Sequence, residues 1–280
     1  MNALEALLLG VVQGLTEFLP ISSSGHLILV PWLLDFRYLE QHPDFNKTFD
    51  VAIHVGTLVA VLVYFRSDIG TLIKAAVRSA RRRRIENPSE RLAWLILLAT
   101  VPAAAIGAVA ADTIEDKLGE PWQIAILLAF FGALLGLSDR FPERRDLQGI
   151  SWRGALGIGF AQAIALAPGT SRSGITITAA RAMGVTREAA ARFSFLLLAP
   201  VVAGASLFKG AEVVRDGLPA GSAGPFAVGI TAAAVSGFAA IWILLRYLTT
   251  HSYRVFVWYR LVSAAVVLFV IASGLKAATF

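Results

Sequence analysis

Six long apolar stretches constrain this chain more than any other feature of its sequence. They lie at about 48–65, 91–111, 122–138, 193–208, 225–247 and 256–275. Each is close to the roughly 20 residues that an α-helix needs to cross the hydrocarbon core of a bilayer. Hydrophobic residues make up 56% of the 280 positions and the mean hydropathy is +0.68, more than a soluble domain usually carries. The sequence therefore predicts an all-α polytopic membrane protein with six transmembrane helices.

Two further apolar stretches, about 2–34 and 154–185, are each interrupted midway by proline, glycine and serine. Neither can form one continuous spanning helix, because proline and glycine break the helical pattern. Irregular backbone at membrane depth is stable only where it is buried in protein or lines a wet cavity. We therefore predict two re-entrant helical hairpins, each entering and leaving on one side, with a polar cavity where they break.

The two interrupted stretches are related in sequence. Their alignment places Gly10 on Gly159, Gln13 on Gln162, Ser22 on Ser171, Ser24 on Ser173 and Gly25 on Gly174. Chance likeness between apolar stretches is the alternative to a duplication, but the matched positions are polar or glycine. A single membrane domain over 1–280 is thus predicted to contain two halves, about 1–140 and 150–280. Each half would hold one hairpin and three spans, and an odd number of spans gives an inverted-topology repeat, as in many transporters.

Arginine is distributed unevenly along the chain. Most of it lies in predicted loops at about 78–91, 140–153, 187–192 and 246–254. The predicted loop at 112–120 is instead acidic, with Asp112, Glu115, Asp116 and Glu120. Because cytoplasmic loops carry an excess of arginine and lysine, we expect the arginine-rich loops inside and both termini outside. The first hairpin would then enter from the outer face. The same pattern explains the net charge of +6 without a nucleic-acid partner, which is not predicted.

The chain has no cysteine, which excludes a disulfide framework, a thiolate metal site and a cysteine nucleophile. Any catalytic group must therefore be a hydroxyl, an imidazole, a carboxylate or a guanidinium. The stretch from Met1 to Leu9 lacks the basic flank and the small-residue cleavage site of a secretory signal, so we interpret it as mature protein.

The first break is preceded by a carboxylate within an apolar segment. On a helix, Gly10, Gln13, Gly14 and Glu17 form one stripe, in which glycines allow close packing and an amide lies beside the carboxylate. An ionisable group inside a membrane segment is costly unless it is paired or solvated, so Glu17 is a candidate catalytic residue. The alternative is a glutamate at a helix end that reaches water.

Serines follow this carboxylate where a second helix is predicted to begin. Pro20 ends the first helix, and Ser22, Ser23 and Ser24 precede the new start at about Gly25. Backbone N–H groups at such a start point toward an anion. The serines are therefore candidate contacts for a phosphate group.

The second break combines proline and glycine with hydroxyls and one guanidinium. Arg172 lies in its middle and can hold phosphate oxygens bidentately. The surrounding hydroxyls complete a candidate phosphate cradle, namely Thr170, Ser171, Ser173 and Thr176. The alternative is that Arg172 pairs with a neighbouring acid and holds the two halves together.

Equivalent positions of the two breaks differ in charge. The pairs are Glu17 with Leu166, Ser23 with Arg172, and His26 with Ile175. One half therefore keeps the acid and the imidazole, and the other has the cation. If the hairpins meet at the midplane, one pocket collects all these groups. That set suits phosphoryl transfer, in which arginine and usually a divalent cation stabilise charge while a hydroxyl or water attacks.

Two histidines lie within apolar stretches. His26 follows Ser23 by three residues and is predicted to transfer a proton or attack, with a helix-end structural role as the alternative. His54 has Asp50 one turn before it, but nothing in the sequence pairs it with the breaks. We therefore predict a structural role for His54.

These two segments resemble the signature motifs of the undecaprenyl-diphosphate phosphatase family, also called the bacitracin-resistance protein family. Gln13 to Glu17 match its E/Q-x-x-x-E pattern, and Pro168 to Thr176 match P-G-x-S-R-S-x-x-T. Length and hydropathy layout agree along essentially the whole chain. The resemblance implies an enzyme of the bacterial inner membrane that hydrolyses a C55 polyprenyl diphosphate to the monophosphate carrier and inorganic phosphate. That activity would serve peptidoglycan synthesis and confer resistance to bacitracin.

The resemblance also implies roles for individual residues. Glu17 and Gln13 would bind a divalent cation, Mg2+ or Ca2+, and Arg172 would hold the diphosphate. Ser23 and His26 would supply the nucleophile and the proton transfer, and we favour Ser23 as the nucleophile with His26 as its base. Many relatives have glutamate at the position of Gln13, and an amide adds no charge, so a weaker metal site is expected. The implied diphosphate-binding residues are Ser22, Ser24, Thr170, Ser171, Arg172, Ser173 and Thr176.

A lipid-phosphate flippase or an anion-coupled transporter is the alternative function, because inverted repeats with broken helices are common in transporters. A transporter needs no nucleophile and base, so Ser23 and His26 favour an enzyme. The lipid would reach the pocket sideways from the bilayer, and the pocket is expected to open to the outer face. A homodimer is left open, because packing at Gly10 and Gly14 can be internal.

Overall fold

The computed structural model describes residues 1–36, 38–39, 42–216 and 222–279. Within these ranges the side chains of 43, 44, 112, 115, 116 and 208–216 are outside the description. The prediction of an acidic loop depends on Asp112, Glu115 and Asp116, whose side chains thus lie outside the described part. The described chain is helical, and its only β-type pairing is an isolated bridge between Arg145 and Val185.

Eleven α-helices make up the described part of the chain. The first half holds α1 (Ala3–Phe18), α2 (Ser23–Leu34), α3 (Pro43–Tyr64), α4 (Arg66–Arg82), α5 (Pro88–Leu118) and α6 (Pro121–Ser138). After a short 3-10 turn at Leu147–Gly149 come α7 (Trp152–Ile164), α8 (Arg172–Ala182), α9 (Arg187–Asp216), α10 (Ala223–Leu248) and α11 (Arg254–Ala272).

Six of these helices are long and apolar enough to cross a membrane. They contain Phe45–Tyr64, Pro88–Ala111, Pro121–Ser138, Arg187–Leu207, Ala223–Leu248 and Arg254–Ala272. The prediction of an all-α protein with six spans is confirmed, since each of these segments overlaps one predicted apolar stretch.

Three predictions about the connections are wrong. Much of the arginine-rich stretch at 78–91 belongs to helix α4 and to the start of α5, and 187–192 is the first part of α9 rather than a loop. Helix α5 also continues to Leu118, through most of the stretch predicted as an acidic loop. A hydropathy window finds only the part of a helix that suits lipid, so it misses the polar ends of α5 and α9 and passes over α4, whose cations interrupt every apolar run.

Glycine allows α1 to lie directly against α10. A Cβ at Gly14 would stand 2.0 Å from Ser236 Oγ and 2.5 Å from the Ala233 carbonyl oxygen, and one at Gly10 would stand 2.4 Å from the Gly229 carbonyl oxygen. Close packing through small residues is how helices associate in lipid, where no hydrophobic force drives them together. A helix of the first half is thereby held by a helix of the second.

The other broken segment is held in a matching way. Gly159 of α7 packs against α5, where an added Cβ would stand 2.6 Å from the Ala99 carbonyl oxygen. Each broken segment therefore packs on a long helix of the other half of the chain. Two inverted copies that pack against each other would produce these reciprocal contacts between the halves. The repeat with halves at 1–140 and 150–280 stays a prediction, which this packing favours.

The arginine-rich connections meet at one end of the bundle. Arg91 at the start of α5 donates to the Ile150 carbonyl oxygen at 2.6 Å. Arg187 at the start of α9 contacts Asp139 at 2.6 Å, and the backbone N–H of Tyr253 donates to the same carboxylate at 3.1 Å. Burial raises the pKa of the Tyr253 phenol well above its usual range, so this side chain remains neutral. The clustering agrees with one shared membrane face for these connections.

The first broken segment starts and finishes at the end of the bundle opposite the arginine-rich connections. Helix α1 runs parallel to α10, because Gly10 faces Gly229 and Gly14 faces the backbone of Gly237. Helix α10 ends at the arginine-rich end, so α1 begins away from it. Asp35, at the end of α2, forms an ion pair with Lys276, just beyond α11. These contacts favour a hairpin that turns back inside the bundle, and the re-entrant arrangement stays a prediction.

Candidate functional site

Two serines with unusual backbone geometry begin the helices that follow the breaks. Ser22 has φ 80° and ψ 97°, and Ser171 has φ 76° and ψ 112°. Positive φ in a residue other than glycine costs on the order of 1–3 kcal/mol and is concentrated at functional sites. The Ser22 hydroxyl accepts from the Gly25 N–H at 3.3 Å, and the Ser171 hydroxyl accepts from the Gly174 N–H at 3.0 Å. Positions aligned by sequence thus carry the same strained cap.

The two breaks lie against each other in the interior. Ser173 Oγ donates to the Leu19 carbonyl oxygen at 3.1 Å. A Cβ at Gly25 would stand 3.2 Å from Gly169 Cα, so the two loops pack closely at this point. The polar residues of both breaks therefore share one region of the protein.

Glu17 lies at the centre of this region and is only 5% exposed. Its Oε2 accepts from Ser23 Oγ at 2.5 Å and from Gln13 Nε2 at 3.2 Å. Its Oε1 accepts from Arg172 Nε at 3.3 Å. Such partners are what a buried carboxylate needs to remain ionised. Gln13, Glu17, Ser23 and Arg172, all singled out in the sequence, are brought together here.

Arg172 joins the two breaks and retains one free donor. Its Nη1 donates to the Ser194 carbonyl oxygen at 2.8 Å, and its Nη2 is buried without a hydrogen-bond partner among the described residues. The Ser194 hydroxyl also accepts from Thr176 Oγ1 at 2.8 Å. The ion pair between the breaks, which the sequence left open as the alternative role of Arg172, is formed. The remaining Nη2 can still donate to a phosphate oxygen.

His26 does not contact Ser23. Its Nδ1 lies 2.7 Å from the Ser22 carbonyl oxygen, and its Nε2 lies 2.8 Å from the Tyr259 hydroxyl. The carbonyl can only accept, so Nδ1 carries the proton and a neutral His26 accepts from Tyr259 at Nε2. Because Ser23 donates to Glu17 instead, the expected use of His26 as the base for Ser23 does not match this geometry.

His54 lies beside the carboxylate, so the expectation that nothing pairs it with the breaks is wrong. Its Nε2 is 3.7 Å from Glu17 Oε2, and its Nδ1 is 2.7 Å from the Asp50 carbonyl oxygen. The side chain is 31% exposed, whereas that of Glu17 is 5% exposed. Only the packing of α3 against α1 brings it there, and no local sequence pattern signals that contact.

Arg260 is a second residue that the sequence reasoning missed. It lies on α11, is 0% exposed and has no carboxylate within 4.0 Å among the described residues. Its guanidinium donates to five backbone carbonyls, at Pro20 (3.2 Å), Gly169 (3.0 Å), Thr170 (3.1 Å), Leu127 (3.3 Å) and Leu128 (2.9 Å). Carbonyls freed by a broken helix need donors at membrane depth. One guanidinium supplies them to both breaks.

Most of the hydroxyls predicted to bind phosphate are deeply buried. These are Ser22, Thr170, Ser171, Ser173 and Thr176. All but Thr170 have hydrogen-bond partners within the protein, and among these bonds only that of Ser173 crosses from one break to the other. Ser23 and Ser24 are half-buried, and Ser24 Oγ has only a long contact of 3.5 Å with Ser22 Oγ. Phosphate binding by the buried hydroxyls stays a prediction, while Ser23, Ser24 and Arg172 are the better exposed members of the set.

The residues around Glu17 fit a weakly held divalent cation. Gln13 Oε1 is buried and has no hydrogen-bond partner within the described part of the chain. Because Gln13 Nε2 faces Glu17, the amide would have to rotate to bring Oε1 beside the carboxylate, where an amide oxygen suits Mg2+ or Ca2+. No group of three or more acidic or histidine side chains that could hold a metal occurs among the residues that the structure describes. Phosphate oxygens and water would therefore have to complete the coordination, as is common for Mg2+.

Comparison with known proteins places these features in a family. The profile described as Bacitracin resistance protein BacA matches residues 6–266, which include both breaks and Arg260. The chain is 46% identical to the undecaprenyl-diphosphatase of Pelobacter propionicus over 278 residues, covering 99% of this chain and 100% of the relative. It is 49% identical to that of Geobacter sulfurreducens over 270 residues (96% and 98%) and 46% identical to that of Rubrobacter xylanophilus over 269 residues (95% and 97%). The chain belongs to the BacA bacitracin resistance protein family.

Proposed function

We propose that this protein is an undecaprenyl-diphosphate phosphatase, which hydrolyses the C55 polyprenyl diphosphate to undecaprenyl phosphate and inorganic phosphate. The observation that carries the proposal is the hydrogen bond of 2.5 Å from Ser23 Oγ to the buried Glu17 carboxylate, with Arg172 on the other carboxylate oxygen. Similarity over the full length to proteins named undecaprenyl-diphosphatase supports the substrate. The product would serve peptidoglycan synthesis, and its supply would confer bacitracin resistance.

The geometry supports Ser23 as the nucleophile and Glu17 as its general base. As the Ser23 oxygen bonds the terminal phosphorus, its proton passes to Glu17 Oε2, at the 2.5 Å contact. The bond between that phosphorus and the bridging oxygen breaks, and undecaprenyl phosphate leaves. Water then attacks the phosphoserine, which releases inorganic phosphate and restores Ser23.

Arg172 is placed to stabilise the phosphoryl group during transfer. Its unpartnered Nη2 can donate to a phosphate oxygen while Nε remains on Glu17 and Nη1 on the Ser194 carbonyl. A donor fixed in this way needs no reorganisation when charge develops. The ion pair with Glu17 therefore positions the guanidinium for this use.

A divalent cation, Mg2+ or Ca2+, would be held by Glu17 and Gln13 Oε1 together with phosphate oxygens of the substrate. When bound, it would neutralise charge on the diphosphate. Because the amide contributes no charge, we expect weak binding of the cation in the absence of substrate.

The substrate explains why the pocket lies inside a membrane fold. Withdrawing a C55 chain from lipid would cost about 0.8 kcal/mol per CH2 group, so the polar site must come to the lipid. We place the protein in the bacterial inner membrane with the pocket open to the outer face. The start of α1, at the end opposite the arginine-rich connections, supports this orientation.

A flippase or an anion-coupled transporter is not favoured. Transport requires binding groups but no hydroxyl activated by a carboxylate, and Ser23 and Glu17 form that pair. The relatives that match over nearly the whole chain are named for hydrolysis. The predicted inverted repeat would therefore be an architecture shared with transporters rather than a sign of transport.

Phosphate release from undecaprenyl diphosphate by the purified full chain in detergent tests the proposal. Mg2+ or Ca2+ is supplied or removed with a chelator, and undecaprenyl monophosphate is the control substrate. We expect cation-dependent release of one phosphate from the diphosphate and little release from the monophosphate. A correctly folded protein that releases no phosphate with either cation would refute the enzymatic function.

A further inference from the structure

Among the described residues, helix α4 has no corresponding helix in the second half of the chain. It is 17 residues long and lies between the spans of α3 and α5. The corresponding connection, between Asp216 at the end of α9 and Ala223 at the start of α10, is too short for such a helix. The bundle of spans and broken helices thus does not need α4, which points to a separate role.

One face of α4 packs on the protein and another is apolar but uncovered. Ser79 is buried, and its hydroxyl accepts from Trp94 Nε1 of α5 at 2.8 Å. Ile73 and Val77, one turn apart on another face, are 59% and 47% exposed. A helix that keeps apolar side chains outside the packed face, beside many cations, is typical of the interface between water and lipid.

The cations of this region are mostly unpaired. The exposed ones without a carboxylate within 4.0 Å in the described part of the chain are Lys74, Arg78, Arg81, Arg83 and Arg84. Arg82 alone among its neighbours has a partner, Glu86 at 3.0 Å. Lysine and arginine can lay their aliphatic stems along an apolar surface while their charged ends reach head groups. The uncovered face of α4 is therefore complementary to an anionic, amphipathic ligand.

An open groove of about 570 Å3 continues this surface at the end of α4. Arg83 and Arg84 line it together with Ile85, Trp94 and Trp152. Trp152 is 41% exposed, and exposed tryptophan is enriched at the level of lipid head groups. The groove thus offers guanidinium groups to a phosphate and indole rings to the adjoining glycerol and acyl chain.

We propose that α4, with Arg83 and Arg84, binds the head groups of anionic phospholipids on the membrane face that carries the arginine-rich connections. That leaflet is the cytoplasmic one under the positive-inside rule, and its surface is anionic. This surface lies outside the Glu17 pocket, so the proposal does not depend on the phosphatase activity. Bound lipid would hold α4 at a fixed depth in the membrane. The hydrogen bond between Ser79 and Trp94 would pass this constraint on to α5.

Native mass spectrometry of the full chain, released from detergent with defined lipids, tests this binding. Phosphatidylglycerol is compared with phosphatidylcholine of the same acyl chains, for wild type and for Lys74→Gln/Arg78→Gln/Arg81→Gln/Arg84→Gln. Each basic residue that lies beside the bound anionic head group strengthens binding about fivefold, corresponding to about 1 kcal/mol. We expect wild type to retain phosphatidylglycerol preferentially and the variant to bind it at least about tenfold more weakly.

The matched control removes four exposed arginines from another connection, as Arg140→Gln/Arg144→Gln/Arg145→Gln/Arg153→Gln. Its phosphatidylglycerol binding should stay near the wild-type value, and all three proteins should share the same helical circular dichroism. Equal loss in both variants, or no lipid preference in wild type, would overturn the proposal. In a final experiment, glycerol phosphate is added as a competitor of phosphatidylglycerol. If it displaces phosphatidylglycerol at equal concentration, the site recognises a free phosphate and the lipid proposal is wrong.

Discussion

Arg172 Nε lies 3.3 Å from Glu17 Oε1 and thereby joins α8 to α1 across the two breaks. The same guanidinium keeps Nη2 without a partner among the described residues. Lysine would retain the charge but lose the planar fork that allows both contacts. We predict that Arg172→Lys lowers kcat for phosphate release by about 10²- to 10³-fold, the range found when one donor to a developing charge is removed.

Arg144→Lys is the control for this substitution, because Arg144 is exposed and far from the pocket in the arginine-rich connections. It should leave kcat and KM unchanged. An Arg172→Lys enzyme within about tenfold of wild type would show that the guanidinium geometry is not used in catalysis.

Neighbouring serines of the first break should differ sharply in importance. Ser23 Oγ donates to Glu17 at 2.5 Å, whereas Ser24 Oγ is only within 3.5 Å of Ser22 Oγ. We predict that Ser23→Ala lowers the rate of phosphate release by at least about 10³-fold, because it removes the nucleophile. Ser24→Ala should stay within a few-fold of wild type. A larger loss in Ser24→Ala than in Ser23→Ala would show that Ser23 is not the nucleophile.

Gln13→Glu should strengthen the cation site. It places a second carboxylate one turn from Glu17, where the present Gln13 Oε1 is buried without a partner in the described part of the protein. We predict that the Mg2+ concentration for half-maximal phosphate release falls by about tenfold, because charge count sets affinity for hard cations.

Thermal unfolding tests cation binding at the same site without measuring activity. Without a cation, two neighbouring carboxylates repel, so Gln13→Glu should unfold at a lower temperature than wild type and regain the difference when Mg2+ is added. The exposed Gln148→Glu should show neither effect. A Gln13→Glu protein with unchanged dependence on Mg2+ would argue that this residue does not ligate the cation.

Arg260 should be essential to the shape of both breaks. It donates to five backbone carbonyl oxygens, and lysine has only three donors, so it cannot satisfy all of these at once. Each buried carbonyl left unsatisfied costs about 1–3 kcal/mol. We predict that Arg260→Lys lowers the apparent Tm by at least about 5 °C and reduces phosphate release. Arg254→Lys, exposed on the same helix, should change neither quantity.

The parts of the fold that follow from local composition could be predicted from the sequence. The spans are continuous apolar runs, and the breaks follow from a proline shortly before Ser22 and Ser171 and from serine and glycine at the same spacing in both stretches. Helix α4 was not predicted, because its cations interrupt every apolar window, although they lie on the exposed side of a regular helix.

The parts of the site that depend on contacts between distant helices could not be predicted. His54 reaches Glu17 only because α3 packs beside α1, and Arg260 reaches the breaks from the far end of the chain. The pairing of Ser23 with His26 was inferred from their spacing on one helix. In the structure Ser23 turns toward α1 and His26 toward Tyr259 of α11, so sequence spacing placed them close without making them partners.

The most direct test of the account is phosphate release from undecaprenyl diphosphate by Glu17→Gln. Glutamine preserves the size of the side chain, but it cannot take the proton of Ser23 and has no negative charge with which to bind a cation. The account predicts that kcat falls by at least about 10³-fold at saturating Mg2+, while circular dichroism stays that of the wild type. A Glu17→Gln protein that releases phosphate within about tenfold of the wild-type rate would contradict the assignment of the pocket as the catalytic site.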